Sequence, residues 1–194
     1  MASNDSLFRR RKIAVLGSRS VGKSSLVTQF IENKFVPQYY PTIENTFTKA
    51  IKHNGQEYEC DIIDTAGQDE YSPLSSRHAI GIHGYVLVYS VASRNSFHMV
   101  RIIHDKIVNQ SGMASIPCVV VGQKNDLVED SSDNRQVPAA EGKKLADALG
   151  SAWVETSARQ NTNIAKVFDL ALGEIEKTVP TGSTEARKGG CVVM

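Results

Sequence analysis

The stretch that most constrains the fold of this chain is residues 17–24, which read Gly-Ser-Arg-Ser-Val-Gly-Lys-Ser. It matches the phosphate-loop pattern of a glycine, four residues and then Gly-Lys-Ser, and the apolar run 13–16 precedes it. Residues 25–32 then carry apolar side chains at helical spacing. A strand, a tight loop and a helix in this order aim backbone N–H groups and the positive end of a helix dipole at one point. The sequence therefore predicts a phosphate-binding loop.

Two side chains of this loop have chemistry of their own. Lys23 supplies a mobile positive charge for the outer phosphates of a nucleotide, and the hydroxyl of Ser24 can ligate Mg²⁺. The alternative for this motif alone is a chance match in a surface turn. Phosphate binding is the better interpretation, because the flanking strand and helix patterns are both present.

Composition narrows the class of protein. The 194 residues suit one domain, or one domain plus a tail, and 22 basic against 21 acidic residues give no argument for nucleic acid as a partner. The three cysteines are an odd number without framework spacing, which indicates a reducing compartment. The first 12 residues lack the apolar core of a signal peptide, and no apolar run approaches the ~20 residues of a membrane span. We expect a soluble intracellular chain.

The remaining patterns alternate between strand and helix. Residues 47–53 and 57–64 flank Asn54-Gly55, which is typical of a hairpin with a type I′ turn. Apolar runs at 85–91, 116–121 and 152–155 indicate buried strands, and helices are predicted at 96–109, 138–149 and 163–177. This predicts an α/β fold of the P-loop NTPase type, with a six-stranded, mostly parallel sheet, one antiparallel edge strand (47–53) and helices on both faces. The loops at the carboxyl ends of the strands should converge near Lys23.

The loop after the third strand carries Asp64, Gly67 and Gln68. A carboxylate at a strand end near a triphosphate is placed to hold Mg²⁺ or its waters. Gly67 lets a backbone N–H approach the γ-phosphate, and Gln68 can orient an attacking water. Taken alone, this segment could also be a plain turn.

Two further loops suit a guanine base. Asp126, at the end of Gln123-Lys124-Asn125-Asp126, can accept hydrogen bonds from both the ring N–H and the exocyclic amine of guanine, a donor pair that adenine lacks. The alternative is a polar helix cap. The backbone of Ser157 and Ala158, after the last strand, could reach the guanine carbonyl, although alone this segment says almost nothing.

Together, the order and the strand-end placement of these loops resemble the Ras superfamily of small GTPases across residues 11–178. The phosphate loop with Arg19-Ser20, the segment 39–47 and the segment 64–71 resemble its Rheb branch. The resemblance implies a GTP/GDP and Mg²⁺ site, GTP hydrolysis, and a switch that relaxes two loops when the γ-phosphate is lost. The catalytic residues it implies are Gln68, Lys23, Thr42 and Gly67. It places Mg²⁺ on Ser24 and Thr42, with Asp64 in the outer shell of the metal. The nucleotide residues it implies are Arg19, Ser20, Val21, Gly22, Lys23, Ser24, Ser25, Val36, Tyr39, Thr42, Gly67, Gln123, Lys124, Asp126, Ser157 and Ala158.

The resemblance also implies partners. It gives the effector surface as Tyr39, Tyr40, Pro41, Thr42, Ile43, Glu44, Asn45, Thr46 and Phe47, with the TOR kinase complex as effector. It implies a tuberin-type activator that inserts an asparagine, and the chain is expected to be a monomer that does not bind nucleic acid. Two other functions stay open at this point: a P-loop small-molecule kinase, and a nucleotide-bound scaffold that never turns over.

Three positions depart from the general Ras pattern. Arg19, which Rheb-like proteins share, replaces a small glycine; its length should hinder the ordering of Gln68 and make intrinsic hydrolysis slow. Gln123 replaces asparagine, and its extra methylene should disturb contacts to the base and to the phosphate loop and speed nucleotide release. Tyr40 stands where relatives usually carry aspartate, and this exchange could tune the choice of partner.

The two ends of the chain are predicted to lie outside the domain. Residues 1–10 read as a disordered leader and 179–194 as a flexible tail that ends Cys191-Val192-Val193-Met194, a C-a-a-X prenylation pattern. A terminal Met favours farnesyl, added to Cys191 by farnesyltransferase. One lipid gives loose binding, so we expect the cytoplasmic side of endomembranes (lysosome or vacuole) with a cytosolic fraction. The basic run 9–12 either shares that membrane surface or is a solvated leader.

Overall fold

A computed structural model describes residues 9–38, 40–129 and 134–178. Tyr39 and Cys191, both predicted to be functional, lie outside the described residues. The strands are β1 (Arg9–Gly17), β2 (Glu44–His53), β3 (Gln56–Thr65), β4 (Gly84–Ser90), β5 (Cys118–Gln123) and β6 (Ala152–Thr156). The α-helices are α1 (Lys23–Glu32), α2 (Arg94–Ser111), α3 (Asp126–Glu129), α4 (Ala139–Ala148) and α5 (Ile164–Thr178), and a 3-10 helix spans Ser76–His78.

The strands form one six-stranded sheet in the order β2-β3-β1-β4-β5-β6. All pairs are parallel except β2 with β3, which are joined by the turn at Asn54 and Gly55. Both turn residues have positive φ, 48° and 79°, as a type I′ turn requires. This confirms the predicted mostly parallel sheet with one antiparallel edge strand.

Helices cover both faces of the sheet, and β1 shows how the core is divided. Ile13 and Val15 pack into a buried cluster that includes Phe168 of α5. The alternate residue Leu16 packs into a second cluster with Ile103 of α2. Successive side chains of a strand point to opposite faces, so a strand buried on both faces reads as a continuous apolar run. The central strands therefore match the prediction.

Two predicted boundaries were wrong. Arg9 and Arg10, the last two residues of the predicted leader 1–10, lie in β1, because Arg9 pairs with Tyr58 of β3 and its guanidinium contacts Glu176 of α5 at 3.3 Å. The antiparallel strand β2 begins at Glu44 rather than at residue 47, because Glu44 pairs with Thr65 of β3. Part of the predicted effector loop is therefore strand.

The topology gathers the carboxyl ends of β1, β3, β5 and β6 at one edge of the sheet, beside the start of α1. The loops predicted to bind a nucleotide follow these four strands, so the sheet brings them together. In the described part of the chain, no helix is both long enough and apolar enough to cross a membrane.

Candidate functional site

Lys23, at the end of the phosphate loop, is hydrogen-bonded to the beginning of the same loop. The ammonium of Lys23 donates to the carbonyl oxygens of Gly17, at 3.2 Å, and Ser18, at 2.9 Å. Gly22 has a φ of 102°, and a Cβ atom there would lie 2.9 Å from the Cγ of Gln123. Glycine is therefore required at residue 22 both for its backbone conformation and for the space it leaves.

The electrostatic environment of Lys23 prepares it for an anion. Only 6% of the residue is exposed, and burial lowers the pKa of Lys23 to about 8, although the nearby Asp64 opposes this shift. Desolvation disfavours the charged form of a lysine, and an added phosphate restores that form by charge pairing. Lys23 is thus a partly desolvated cation at the start of a helix, which is the arrangement that favours a phosphate ligand.

Hard oxygen donors meet next to this lysine. The hydroxyl oxygens of Ser24 and Thr42 lie 2.7 Å apart, although they come from α1 and from the loop before β2. Asp64 is 2% exposed, and its Oδ1 atom is buried without a hydrogen-bond partner among the residues that the structure describes. Burial raises the pKa of Asp64, and the Ser24 hydroxyl and the Lys23 ammonium oppose the rise.

These donors fit Mg²⁺, which binds a few protein oxygens together with phosphate oxygens and water. Among the described residues no group of three or more His, Cys, Asp or Glu side chains could hold a metal ion. The hydroxyls of Ser24 and Thr42 would hold the ion, and Asp64 would lie in its outer shell. When bound, Mg²⁺ neutralises charge on the β- and γ-phosphates.

The loop after β3 packs directly against the phosphate loop. A Cβ atom on Gly67 would lie 2.6 Å from the Cα and 2.3 Å from the Cγ of Arg19, so only glycine fits. The backbone N–H of Gln68 donates to the carbonyl of Gly17 at 2.9 Å. One N–H of the Gln68 side-chain amide donates to the carbonyl of Ala66 at 3.0 Å, within the same loop.

Gln123 joins the phosphate loop to the base loops. Its Oε1 atom accepts hydrogen bonds from the Thr156 hydroxyl at 3.1 Å and from the Ala158 N–H at 3.2 Å. Its Nε2 atom reaches the carbonyl of Gly22 only at 3.4 Å. Gln123 thus bonds the loop after β6 through its Oε1 atom, and its bond to the phosphate loop is the longest of these three.

The carboxylate predicted to read guanine is held in place by a neighbour. The Ser157 hydroxyl donates to Oδ1 of Asp126 at 2.7 Å. Ser157 is completely buried and Asp126 is 8% exposed. Burial also lowers the pKa of Lys124, whose backbone has a φ of 70°. Ser157 therefore orients Asp126 with its side chain.

One cavity of about 1110 Å³ joins the two halves of the site, and most of the predicted residues line it. Its walls contain Arg19, Ser20, Gly22, Lys23, Ser24, Ser25, Val36, Thr42, Gly67, Gln123, Lys124, Asp126 and Ala158. Val21, with its side chain in the core, and Asp64, Gln68 and Ser157 are not among the wall residues.

Several wall residues of the cavity were not predicted from the sequence. They are Phe35, Pro37, Gln38, Ala66, Leu127 and Arg159, together with Tyr40 and Pro41, which were assigned to the effector surface alone. Phe35 and Leu127 are each 37% exposed, so they present apolar surface at the cavity. The apolar Leu127 directly after Asp126 was a usable signal, since base-binding pockets combine a few polar groups with apolar walls.

The sequence model of the Ras family matches residues 12–177 of this chain. The chain belongs to the Ras family. It is 57% identical over 186 residues to the GTP-binding protein rhb1 of Schizosaccharomyces pombe, which covers 96% of this chain and 98% of the relative. It is 55% identical to the small monomeric GTPase RhbA of Aspergillus fumigatus, with 96% and 97% covered, and 47% identical to human GTP-binding protein Rheb, with 96% and 98% covered.

A Ras-family chain close to Rheb is a GTP-binding switch and a GTP hydrolase that binds GTP or GDP with Mg²⁺. The family assignment sets aside both open alternatives, the small-molecule kinase and the scaffold without turnover. The individual site residues stay predictions, which the geometry above brings together at one edge of the sheet.

Proposed function

We propose that this Rheb-type GTPase is a slowly hydrolysing switch whose GTP form binds a TOR kinase complex from a membrane surface. The observation that carries the proposal is the 2.7 Å contact between the hydroxyls of Ser24 and Thr42. It joins the phosphate loop to the effector segment 39–47, so a ligand at Ser24 acts on that segment directly. Loss of the γ-phosphate frees such a threonine and changes the surface that a partner reads.

Slow hydrolysis is proposed from the surroundings of Gln68. Its amide is bonded to the carbonyl of Ala66, and the side chain of Arg19 lies against Gly67. A water attacking the γ-phosphate forms the new P–O bond while the bond to the β-phosphate oxygen breaks, and it needs a group that orients it. Because an amide N–H of Gln68 is bonded within its own loop, a tuberin-type activator would complete the site by inserting an asparagine.

The effector surface is proposed at the exposed part of the segment 39–47. Tyr40 is 71% exposed and Ile43 is 90% exposed, and Ile43 directly follows Thr42. Large apolar side chains held in water favour a protein partner that covers them. The TOR kinase complex is the partner that the resemblance to the Rheb branch implies.

Membrane attachment is proposed through a single farnesyl group on Cys191, added by farnesyltransferase. The basic run 9–12 adds little support, because Arg9 and Arg11 contact Glu176 and Arg10 contacts Glu59 at 2.6 Å. With one lipid and a largely paired basic run, we propose loose binding to the cytoplasmic side of endomembranes, such as the lysosome or vacuole, and a cytosolic fraction. Vesicle sedimentation of the farnesylated chain with and without Cys191→Ser tests this, since Cys191→Ser should abolish binding.

The effector proposal is tested by pulldown with the full chain loaded with a non-hydrolysable GTP analogue or with GDP. We expect TOR-complex subunits, read by mass spectrometry, to be enriched on the GTP form and lost with Ile43→Ala. Met113→Ala is the matched control, because Met113 is an exposed apolar residue, 43% exposed, on the loop after α2. Equal capture by both nucleotide forms would contradict the switch, and capture of other proteins alone would contradict the TOR assignment.

A further inference from the structure

Three backbone carbonyls of the segment 68–74 converge on a single side chain of α2. The Lys106 ammonium donates to the carbonyl oxygens of Asp69 at 3.0 Å, Glu70 at 2.8 Å and Ser72 at 2.7 Å. A lysine ammonium has three N–H donors, so each donor has an acceptor from this one segment. Gln110, one turn further along α2, donates to the carbonyl of Leu74 at 3.0 Å.

The backbone N–H groups of the same segment are also bonded to a side chain. The carboxylate of Asp69 accepts from the N–H of Tyr71 at 3.0 Å and from the N–H of Ser72 at 2.7 Å. It accepts from the Ser72 hydroxyl as well, at 2.7 Å. Side chains therefore bond four carbonyls and two N–H groups of this segment, and the next helical element is the short 3-10 helix Ser76–His78.

The sequence explains why the segment needs an external donor. In an α-helix the carbonyl of Asp69 would accept from the residue four positions on, which is Pro73. Proline has no N–H, and its ring clashes with the carbonyl four residues earlier. The carbonyl of Asp69 thus has no helical partner, and Lys106 supplies the missing donor together with two more.

This clamp lies next to the residue expected to orient the attacking water. Gln68 immediately precedes Asp69, its N–H is bonded to Gly17, and its amide is bonded to Ala66. Because the segment is tied to α2 from residue 69 onward, Gln68 has little freedom to turn toward the phosphate loop. We propose that Lys106 is a positioning residue that holds the segment 68–74 in a non-helical form and thereby limits GTP hydrolysis through Gln68. This rests on the role proposed above for Gln68.

The test is single-turnover GTP hydrolysis by the full chain with Lys106→Met, Gln68→Leu and both changes together. We expect Lys106→Met to raise the intrinsic rate several-fold, and we expect the gain to vanish in the Gln68→Leu background. Arg101→Met is the matched control, because Arg101 is an exposed cation of the same helix. Its rate should equal that of the unaltered chain.

Amide hydrogen exchange of residues 69–75 is the second readout, and thermal melting with GDP bound checks that each variant folds. Faster exchange with an unchanged hydrolysis rate would reduce Lys106 to a structural role and overturn the proposal, as would a rate gain that survives Gln68→Leu. If Gln68→Leu alone left hydrolysis unchanged, the role of Gln68 itself would fail. Lys106→Arg keeps the charge, but its planar guanidinium cannot aim three donors as the ammonium does, so an intermediate rate is expected.

Discussion

The Nε2 atom of His78 lies 2.7 Å from the Oε2 atom of Glu44. This bond links the first residue of β2, in the effector segment, to the 3-10 helix that follows the segment clamped by Lys106. His78 is 6% exposed, and its Nδ1 atom is buried without a partner in the described part of the chain. A proton on Nε2 lets the ring donate a hydrogen bond to this carboxylate. The effector segment and the stretch of chain that follows Gln68 are therefore joined away from the predicted nucleotide site as well.

Glu44→Ala should destabilise the protein, because it leaves the buried Nε2–H of His78 without an acceptor. An unsatisfied buried donor costs ~1–3 kcal/mol, so the free energy of unfolding in urea, with saturating GDP, should fall by that amount. Adding His78→Phe should recover part of the loss, since the unpaired donor is then gone. Glu57→Ala, on an exposed glutamate of β3, is the control, and an equal loss in Glu44→Ala and Glu57→Ala would contradict the coupling.

Arg19→Gly should raise intrinsic GTP hydrolysis several-fold, because the Arg19 side chain packs against Gly67 beside Gln68. Single-turnover release of labelled phosphate, without an activating protein, measures this directly. Ser20→Ala, a change in the next residue of the phosphate loop, is the control that shows whether any substitution in this loop changes the hydrolysis rate. An unchanged rate in Arg19→Gly would show that the arginine does not obstruct Gln68.

Gly67→Ala should abolish the GTP-dependent conformational change, and Arg19→Gly should not rescue it. The reason is that the added Cβ atom would lie 2.6 Å from the Cα and 2.7 Å from the backbone N of Arg19, which remain when the side chain is removed. Fluorescence or exchange differences between the GDP and GTP-analogue forms report the change. Recovery in the double variant would mean that the contact involves the Arg19 side chain alone.

The parts of this structure that could be predicted are those encoded in local patterns. The phosphate loop follows from eight consecutive residues, and the central strands follow from apolar runs that are buried on both faces of the sheet. The start of β2 could not be predicted, because Glu44, Asn45 and Thr46 are polar and become strand only by pairing with β3. The strand propensity of these three residues does not indicate that they pair with β3.

The contacts that set the detailed behaviour of the site were also beyond local patterns. Lys106 lies more than 30 positions from the carbonyls it binds, and nothing around it in the sequence distinguishes it from a solvated lysine. Phe35 was missed as a wall residue because the loop around it has no period. Pro73 can be read from the sequence, but the sequence does not show that Lys106 of α2 supplies the donor that the carbonyl of Asp69 lacks.

Gln123→Asn should slow the release of labelled GDP several-fold. The Nε2 atom of Gln123 reaches the carbonyl of Gly22 only at 3.4 Å. The Cγ atom of Gln123 lies so close to Gly22 that a Cβ atom added to the glycine would be 2.9 Å away from it. The extra methylene of glutamine therefore fills the space beside the phosphate loop. One improved hydrogen bond is worth ~1 kcal/mol, which is the expected size of the effect. Gln123→Ala should release GDP faster than either, because it also loses the bonds to Thr156 and Ala158. Equal rates for Gln123→Asn and the unaltered chain would end this hypothesis.

Nucleotide affinity should fall as the pH rises above about 8, because the free protein then begins to lose the proton of Lys23. Burial lowers the pKa of Lys23 from 10.5 to about 8 in the protein alone, and phosphate oxyanions raise it again by favouring the ammonium form. Binding above pH 8 therefore takes up a proton, and affinity falls by up to about tenfold per pH unit. Between about 8 and 10.5 the unfolded chain also holds more protons at Lys23 than the free folded protein, so the stability of the nucleotide-free protein should rise with pH across that window.

Calorimetric titration of GDP in buffers of different ionisation enthalpy measures the proton uptake linked to Lys23. We expect Lys23→Met to weaken binding and to remove most of the pH dependence, with a residual slope from Lys124, whose pKa burial also lowers. Lys143→Met is the matched control, since that lysine side chain is 58% exposed on α4. If Lys23→Met kept the full slope, the proton would have to come from another group, and the desolvated lysine would not be the source of the pH dependence.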